Sequence, residues 1–242
     1  MNIAVIFAGG SGSRMNTKSR PKQFLELNGK PIIIYTIELF DNHHLIDAIV
    51  VVCLQDWIPF LKKMLRKFEI NKVVDIVPGG DTGQSSIYNG LCAAESYASS
   101  IEDKESIVLI HDGVRPLITE DTISDNINMV ISSGSCITCI PAYETFIVKN
   151  AMSGLSIPRR ENSFIARAPQ SFYLKNILSL HRRAIKEGKL DFVDSCSMVS
   201  FYGQNVETII GPMENIKITT PMDYFMFRAL VEVHENQQIF GL

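Results

Sequence analysis

Residues 3–15 read IAVIFAGGSGSRM: an apolar run passes directly into a glycine-rich turn that carries Arg14. The apolar run predicts a buried strand with the turn at its carboxyl end. Glycines let backbone N–H groups approach a polyphosphate closely. Lys22 follows within PKQF at 21–24. Either cation alone is typical of a solvated surface, but beside this turn the pair predicts stabilisation of charge on a transferring phosphoryl group.

The spacing of the glycines argues against two common phosphate loops. A dinucleotide-binding turn reads G-x-G-x-x-G and has an acidic residue about 20 positions on, at the end of the second strand. Here the glycines are Gly9, Gly10 and Gly12, and the second long apolar run ends in CLQD at 53–56, too far along the chain. A Walker-type loop requires Gly-Lys-Ser/Thr after the turn, which this turn lacks. The opening therefore favours a nucleotide site of another kind.

Strand-like and helix-like segments alternate along the first 140 residues. The β-branched run AIVVVC at 48–53 is typical of a strand buried inside a parallel sheet. The predicted strands are 2–8, 48–53, 73–77, 106–110 and 135–140, and the predicted helices are 31–41, 56–68, 85–99 and 120–132. This alternation predicts an α/β fold with a doubly wound, mostly parallel, Rossmann-like sheet. Ligands bind such sheets outside the carboxyl ends of the strands.

The pattern changes between residues 143 and 171. Two extended stretches, Thr145–Lys149 and Ser163–Arg167, flank a turn-rich segment. They predict a hairpin arm that leaves the main sheet, and because a lone hairpin is marginally stable in water we expect it to pack on a second subunit. Helices at 174–187, 193–202 and 221–236 and a strand at 206–210 complete the predicted elements. No linker divides the chain, so we expect one domain over 1–242 that includes this arm.

Composition limits the class of protein. The chain has 242 residues, 46% of them hydrophobic, with a formal net charge of -3. This balance predicts a globular protein that binds no nucleic acid. The first apolar run lacks a cationic leader, and the longest later run, Ala48–Leu54, is too short to span a membrane. We therefore expect a cytoplasmic protein with no membrane partner.

The five cysteines are scattered and odd in number, as expected of reduced thiols. Cys136 and Cys139 have C-x-x-C spacing, which can indicate a redox or zinc site. The segment from Ser135 to Pro141 reads as a buried strand, in which positions three apart face opposite sides. No second cysteine pair completes a metal site. The two residues are therefore interpreted as core cysteines.

A second group of polar residues follows the strand predicted at 106–110. Asp112 at a strand end beside a phosphate site is a natural Mg²⁺ ligand, because Mg²⁺ takes one or two carboxylates together with phosphate oxygens and waters. The alternative is a turn-capping aspartate paired with Arg115. His111 is expected to be structural, since neutral imidazole suits softer metals than Mg²⁺.

The loop from Gly79 to Ser86 is a second glycine-containing loop that enters a helix. Its N–H groups can bind a ribose or a base edge, or Ser85 can simply cap the helix. The residues themselves leave both interpretations open. Lys217, within NIKIT at 215–219, has no role that its neighbours reveal.

Five ordered segments together resemble a known family. They are AGGSGSRM at 8–15, PKQF at 21–24, HDGVRP at 111–116, APQSF at 168–172 and NIKIT at 215–219. They are similar to the polyol-phosphate cytidylyltransferases, and the resemblance covers essentially the whole chain. One branch of that family uses 2-C-methyl-D-erythritol 4-phosphate for isoprenoid synthesis. The other uses D-ribitol 5-phosphate for teichoic acid and capsule synthesis.

The resemblance implies that CTP and a polyol phosphate give a CDP-polyol and pyrophosphate, with Mg²⁺ as cofactor and Asp112 as its ligand. The cations implied to be catalytic are Arg14, Lys22 and Lys217. The residues expected to bind the nucleotide are Phe7, Ala8, Gly9, Gly10, Ser11, Gly12, Ser13, Gly80, Asp81, Ser85, Ser86, Asp112 and Gly113. Those expected to bind the polyol phosphate are Arg115, Thr145, Arg160 and Lys217. The family also implies a homodimer joined by the arm, with Arg160 reaching the neighbouring subunit's site.

Three positions depart from the family's usual pattern. Gly83 stands where an arginine is usual, and Ala168 and Val193 stand where threonines are usual. The last two lie near the expected polyol pocket, so we favour ribitol phosphate and keep methylerythritol phosphate as the alternative.

Two proteins of other kinds are disfavoured. A catalytically silent nucleotide-binding module would be expected to lack at least one of Arg14, Lys22, Asp112 and Lys217, and all four are present. A sugar-1-phosphate nucleotidyltransferase would share the opening turn, but NIKIT at 215–219 argues against it.

Overall fold

The computed structural model describes residues 1–10, 20–103, 105–150 and 154–240. The strands are β1 (Asn2–Ala8), β2 (Glu26–Leu27), β3 (Lys30–Pro31), β4 (Ala48–Cys53), β5 (Val73–Pro78), β6 (Ile107–Asp112), β7 (Ser135–Pro141), β8 (Val148–Asn150), β9 (Gly154–Ser156), β10 (Phe164–Tyr173) and β11 (Glu207–Ile210). The helices are α1 (Ile32–Asp41), α2 (Ile58–Lys67), α3 (Gly83–Ser100), α4 (Glu120–Ser133), α5 (Leu174–Lys186), α6 (Ser195–Phe201) and α7 (Pro221–Phe240).

The central sheet contains seven strands in the order β11-β7-β10-β6-β1-β4-β5. Only β10 runs antiparallel to its neighbours among the described strands of this sheet. Alternate residues of β1 face opposite sides: Ala4 and Ile6 join the core that packs against α1, α2 and α4, whereas Ile3 and Val5 join the core on the side of α3 and α5. The prediction of a doubly wound, mostly parallel sheet is confirmed.

The predicted arm is partly wrong. A hairpin does occur, but β8 pairs with β9, with Val148 opposite Ser156. The stretch Ser163–Arg167, predicted as the second half of the arm, instead enters the main sheet in β10, where Ala166 pairs with Cys139 of β7. Local patterning could not reveal this pairing because the partner strand lies more than twenty residues earlier in the chain.

Several observed element boundaries differ from the predicted ones. Pro31 precedes α1 as its N-cap and is not its first helical residue. A short 3-10 turn over Gln55–Trp57 precedes α2. The helix predicted from 193 begins at Ser195, because the Asp194 carboxylate caps it by accepting from the N–H of Ser197 at 2.7 Å. Strand β6 extends through Asp112, so this carboxylate belongs to the strand itself.

The hairpin and its flanks expose apolar side chains. The exposed fractions are 64% for Ile147, 69% for Leu155, 65% for Ile157 and 51% for Phe164. Isolated exposed apolar residues are ordinary, but a group on one segment of the chain is typical of a surface that meets another protein. None of the helices in the described residues combines the length and hydrophobicity that a bilayer crossing requires.

The interpretation of the C-x-x-C pair as core cysteines is confirmed. Cys136 and Cys139 are both buried and unpaired, and the Cys139 thiol donates to the carbonyl of Ile209 at 3.3 Å. Burial raises the pKa of the Cys136 thiol to about 12, which keeps it protonated and unreactive. Within the described residues, no group of three His, Cys, Asp or Glu side chains could hold a metal ion.

Helix α3 approaches the sheet closely at Gly90, and we expect Gly90→Ala to destabilise the fold. An added Cβ would lie 2.6 Å from Val5 Cγ1 and 2.7 Å from Val52 Cγ2. These buried, β-branched side chains cannot rotate away, so overpacking should cost about 2 kcal/mol. The control is Gly83→Ala in the same helix, where no atom lies within 4 Å of the added Cβ. Urea denaturation should separate the two variants, and equal stability would contradict the packing argument.

Candidate active site

Two glycine loops meet at the carboxyl edge of the sheet, although 70 residues separate them. A Cβ at Gly9, after β1, would lie 3.3 Å from Ser86 Oγ and 3.5 Å from Gly79 Cα. Gly79 follows β5, and the next residue's N–H donates to Ser86 Oγ at 3.0 Å. A Cβ at position 9 or 79 would crowd Ser86 Oγ, so the two loops are in direct contact here. The structure thus brings together the two loops that the sequence predicted to bind a nucleotide.

The first loop is described only in part. Phe7, Ala8, Gly9 and Gly10 lie within the described residues, whereas Ser11, Gly12, Ser13 and Arg14 lie outside them. The predicted roles of the latter four therefore stay predictions.

The second loop shows how α3 begins. Thr82 is the N-cap residue: its hydroxyl accepts from the N–H of Ser85 at 3.1 Å, and Ser85 Oγ accepts from the N–H of Thr82 at 2.9 Å. Ser85 therefore completes the cap rather than providing it alone. Asp81 and Gly80 are exposed beside it. The nucleotide-binding roles of Gly80, Asp81, Ser85 and Ser86 stay predictions, on residues that lie together at this helix start.

Gln23 joins the PKQF segment to the first loop, and sequence reasoning missed it. Its side chain is 1% exposed, and its Nε2 donates to the carbonyl of Ala8 at 2.6 Å and to that of Gly10 at 3.3 Å. The next residue, Phe24, stacks on Trp57 with ring centroids 4.7 Å apart. These contacts fix the 3-10 turn that carries Lys22 next to the loop. In the sequence, the signal for this role is weak: Gln23 is an amide residue between Lys22 and the apolar Phe24.

Asp112, at the end of β6, holds two cations. Its Oδ2 accepts from Arg115 Nε at 2.7 Å and its Oδ1 pairs with Lys217 Nζ at 2.5 Å. Burial alone would raise the pKa of this carboxyl, but Lys217 and Arg115 lower it to about 2, so Asp112 is ionised at neutral pH. The Lys217 side chain is 38% exposed and reaches this buried pair from the open side. Its contact with Asp112, 105 positions away in the chain, could not be read from its neighbours.

Gly113 and His111 support this carboxylate from both sides. The N–H of Gly113 donates to the carbonyl of Phe7 at 3.0 Å, and a Cβ there would lie 3.0 Å from that of Ala8. His111 is fully buried, and its Nε2 lies 3.1 Å from the carbonyl oxygen of Arg115. Burial lowers the pKa of His111 to about 4, which keeps the ring neutral. These contacts agree with the structural role expected of His111.

The residues predicted to bind the polyol phosphate do not all gather here. Arg115 is buried, and its guanidinium is engaged by Asp112 and by the carbonyl of Asn215, to which Nη1 donates at 2.8 Å. This is the pairing that the sequence left open as the alternative for Asp112. Thr145 and Arg160 are exposed on the arm, and within the described residues no hydrogen bond or ion pair joins them to Asp112. Their predicted roles stay predictions.

The predicted Mg²⁺ stays a prediction, and among the described residues Asp112 is the carboxylate that would hold it, with Oδ1 shared with Lys217 and Oδ2 paired with Arg115. Asp112 is a single ionised carboxylate whose Oδ1 faces the exposed Lys217, and Mg²⁺ in nucleotide sites often has only one or two protein ligands.

Residues 2–233 match the family of 2-C-methyl-D-erythritol 4-phosphate cytidylyltransferases. The chain belongs to this family. The resemblance stated from its five sequence segments is therefore confirmed.

Relatives in this cytidylyltransferase family carry two names. A ribitol-5-phosphate cytidylyltransferase of Streptococcus agalactiae serotype Ia is 51% identical over 243 residues, covering 100% of both chains. A 2-C-methyl-D-erythritol 4-phosphate cytidylyltransferase of Clostridium botulinum is 39% identical over 232 residues, covering 96% of this chain and 97% of the other. The crystal structure of 4-diphosphocytidyl-2C-methyl-D-erythritol synthase from Anaerococcus prevotii has a TM-score of 0.81 and 26% identity, over 96% of each chain.

The three departures from the family pattern have different surroundings. Gly83 begins α3 in open space. Ala168 is buried, and its carbonyl accepts from Asn215 Nδ2 at 2.7 Å. Val193 is 91% exposed and precedes Asp194, whose carboxylate accepts from Gln170 Nε2 at 3.0 Å. Ala168 thus lies within β10, and Val193 lies just before the start of α6.

Proposed function

We propose that this chain transfers the cytidylyl group of CTP to D-ribitol 5-phosphate and releases pyrophosphate. The observation that carries the proposal is the pair of cations on Asp112 beside two closely packed glycine loops. Full-length identity of 51% to a ribitol-5-phosphate cytidylyltransferase, against 39% to a methylerythritol-phosphate enzyme, supports ribitol phosphate as the acceptor. The proposal extends to teichoic acid or capsule synthesis, the branch that the sequence favoured.

The chemistry requires alignment and positive charge more than it requires a base. A phosphate oxygen of the polyol phosphate forms a bond to the α-phosphorus of CTP as the bond to the pyrophosphate oxygen breaks. A phosphate monoester has its second pKa near 6, so its oxygen is already largely ionised at pH 7. No covalent enzyme intermediate is needed. The protein's contribution is to hold the two phosphates in line and to stabilise the developing charge.

Different residues near the sheet edge are proposed to contribute to these two tasks. Lys217 is held towards the site by Asp112, and Lys22 is held beside the first loop by the turn that Gln23 fixes. Backbone N–H groups of the first loop, together with Arg14, are proposed to bind the triphosphate. Asp112 would hold Mg²⁺ together with the triphosphate oxygens, and the ion would supply further positive charge at the reacting phosphates.

We also propose a cytoplasmic homodimer joined by the arm. The exposed apolar side chains of the arm support it, since a second copy would bury them. A partner subunit is also what would bring Thr145 and Arg160 to a site, because neither contacts Asp112 within the described part of one chain. The five unpaired cysteines agree with a reducing compartment.

The test is pyrophosphate release from CTP and Mg²⁺ with four acceptors. We expect kcat/KM to be at least tenfold higher with D-ribitol 5-phosphate than with 2-C-methyl-D-erythritol 4-phosphate, glycerol 3-phosphate or xylitol 5-phosphate. ATP and GTP should give little product. A preference for methylerythritol phosphate would contradict ribitol phosphate as the acceptor but not the proposed cytidylyl transfer. No pyrophosphate release with any acceptor would contradict the proposed reaction itself.

A further inference from the structure

Arg167 stands where β10 changes register, and it was assigned no role from the sequence. Along β7, Ala166 pairs with Cys139 and Gln170 pairs with Ile137, with a register shift between the two pairs; on its other side, Gln170 pairs with Ile110 of β6. Because β10 is antiparallel to β6, residues before Gln170 run alongside the carboxyl end of β6, which is Asp112. Arg167 therefore lies at the same edge of the sheet as Asp112.

The Arg167 guanidinium converges with that of Arg115 on one oxygen. Arg167 Nη1 donates to the carbonyl of Asn215 at 3.3 Å, and Arg115 Nη1 donates to the same oxygen at 2.8 Å. Asn215 also holds the register change in place, since its Nδ2 donates to the carbonyl of Ala168 at 2.7 Å. Two like charges are thus fixed side by side by a buried residue.

Arg167 lacks the counter-charge that its surroundings require. Its Nε is buried without a hydrogen-bond partner, and no carboxylate of the described residues forms an ion pair with it. Burial and the charge of Arg115 lower its pKa. By contrast, the exposed Arg182 and Arg183 each pair with a glutamate. A partly buried arginine that is left unpaired beside another arginine is typical of an anion-binding site.

The local charge matches a phosphate monoester. Within the described residues, Asp112 pairs with Arg115 and Lys217, and Arg167 adds a further cation beside Arg115 at the carbonyl of Asn215, which leaves an excess of positive charge in this group of side chains. A guanidinium binds phosphate with two parallel hydrogen bonds, which fixes orientation as well as charge.

The strand order indicates which of the two substrates places its phosphate near Arg167. The glycine loops follow β1 and β5, and in the sheet order β5-β4-β1-β6-β10 the strand that carries Arg167 lies beyond β6 from both. The triphosphate is proposed to bind those loops, so the acceptor must approach Asp112 from the opposite side. We propose that Arg167 binds the phosphate of the acceptor polyol phosphate and helps to select phosphorylated acceptors, an inference that rests on the proposed function.

Kinetics of Arg167→Gln test this assignment. Because the contact is made in the ground state and in the transition state alike, KM for D-ribitol 5-phosphate should rise about 10- to 100-fold, while kcat changes much less. KM for CTP should change less than about threefold. For Arg167→Lys, KM for D-ribitol 5-phosphate should lie between the values of the unaltered protein and Arg167→Gln, since lysine keeps the charge but loses the forked hydrogen-bond geometry. The control is Arg66→Gln, an exposed arginine of α2.

Equilibrium binding keeps this test separate from that of the proposed reaction. If the unaltered protein transfers nothing to D-ribitol 5-phosphate, the proposed function fails, and isothermal titration with inorganic phosphate still tests Arg167. We expect phosphate affinity to fall at least fivefold in Arg167→Gln and not in Arg66→Gln. Unchanged KM and unchanged phosphate affinity would overturn the inference. So would parallel losses of CTP binding and thermal stability, which would make Arg167 a structural residue.

Discussion

Replacing Lys217 by alanine should lower kcat about 10²- to 10³-fold, the scale of losing one oriented donor to a transition-state charge. The reason is geometric: Asp112 holds the Lys217 ammonium at the carboxyl end of β6, where the reacting phosphates are proposed to meet. The side chain is 38% exposed, and Asp112 keeps its pair with Arg115 when the lysine is lost. The free energy of unfolding should therefore change by less than about 1 kcal/mol.

The control for this variant is Lys63→Ala, an exposed lysine of α2, which should keep full activity. Lys217→Arg should retain more activity than Lys217→Ala because arginine keeps the positive charge, although its planar group has a different shape. Steady-state pyrophosphate release and urea denaturation provide the two readouts. Near-normal kcat in Lys217→Ala would remove this cation from the mechanism, and a large loss of stability would mean that Asp112 needs Lys217 to fold.

Replacing Asp112 by asparagine should affect both folding and activity. The buried Arg115 guanidinium would lose its counter-charge, and breaking a buried ion pair in this way costs about 3 kcal/mol or more. Lys217 would lose the contact that directs it, so kcat should fall at least as far as in Lys217→Ala. Urea denaturation and pyrophosphate release at pH 7 measure the two effects.

The dependence on pH distinguishes this ion pair from simple packing. The pKa of Asp112 is lowered to about 2 in the folded protein, below the usual value near 3.8. Its contribution should therefore be complete above about pH 5 and should be lost as the pH falls through about 2. The stability difference between the unaltered protein and Asp112→Asn should shrink between pH 4 and 2. A difference that stays constant there would contradict the electrostatic explanation, and Glu95→Gln, at an exposed pair with Arg182, should change stability little at any pH.

The parallel half of the fold could be predicted because its strands are buried on both faces. The run at 48–53 reads as a strand from composition alone, and β4 has the same bounds. The arm could not be predicted in the same way. Residues 164–167 look like a short exposed strand, yet they continue into the buried APQSF segment of β10, whose partners are β6 and β7. Pairing between strands depends on distant residues that a local pattern does not contain.

The residues of the candidate site also differ in whether local sequence indicates them. Strand ends and glycine loops indicate Gly9, Gly79 and Asp112 because their positions follow from local structure. Lys217 required a family resemblance, because its partner lies 105 positions earlier. Gln23 and Arg167 were missed. Gln23 lies in a motif, but its contacts with the carbonyls of Ala8 and Gly10 depend on how the chain folds. Arg167 is recognised by its buried Nε, which has no hydrogen-bond partner in the folded chain.

The most direct measurement is a crystal structure of the protein with Mg²⁺ and a CTP analogue that cannot release pyrophosphate. We expect the triphosphate against the first loop after β1 and the ribose or base at the exposed second loop near Gly80, with the α-phosphorus facing Lys217 and Lys22 beside Asp112. Nucleotide density at any other face of the sheet, with this edge empty, would contradict the central claim that these cations gather to hold a triphosphate for attack.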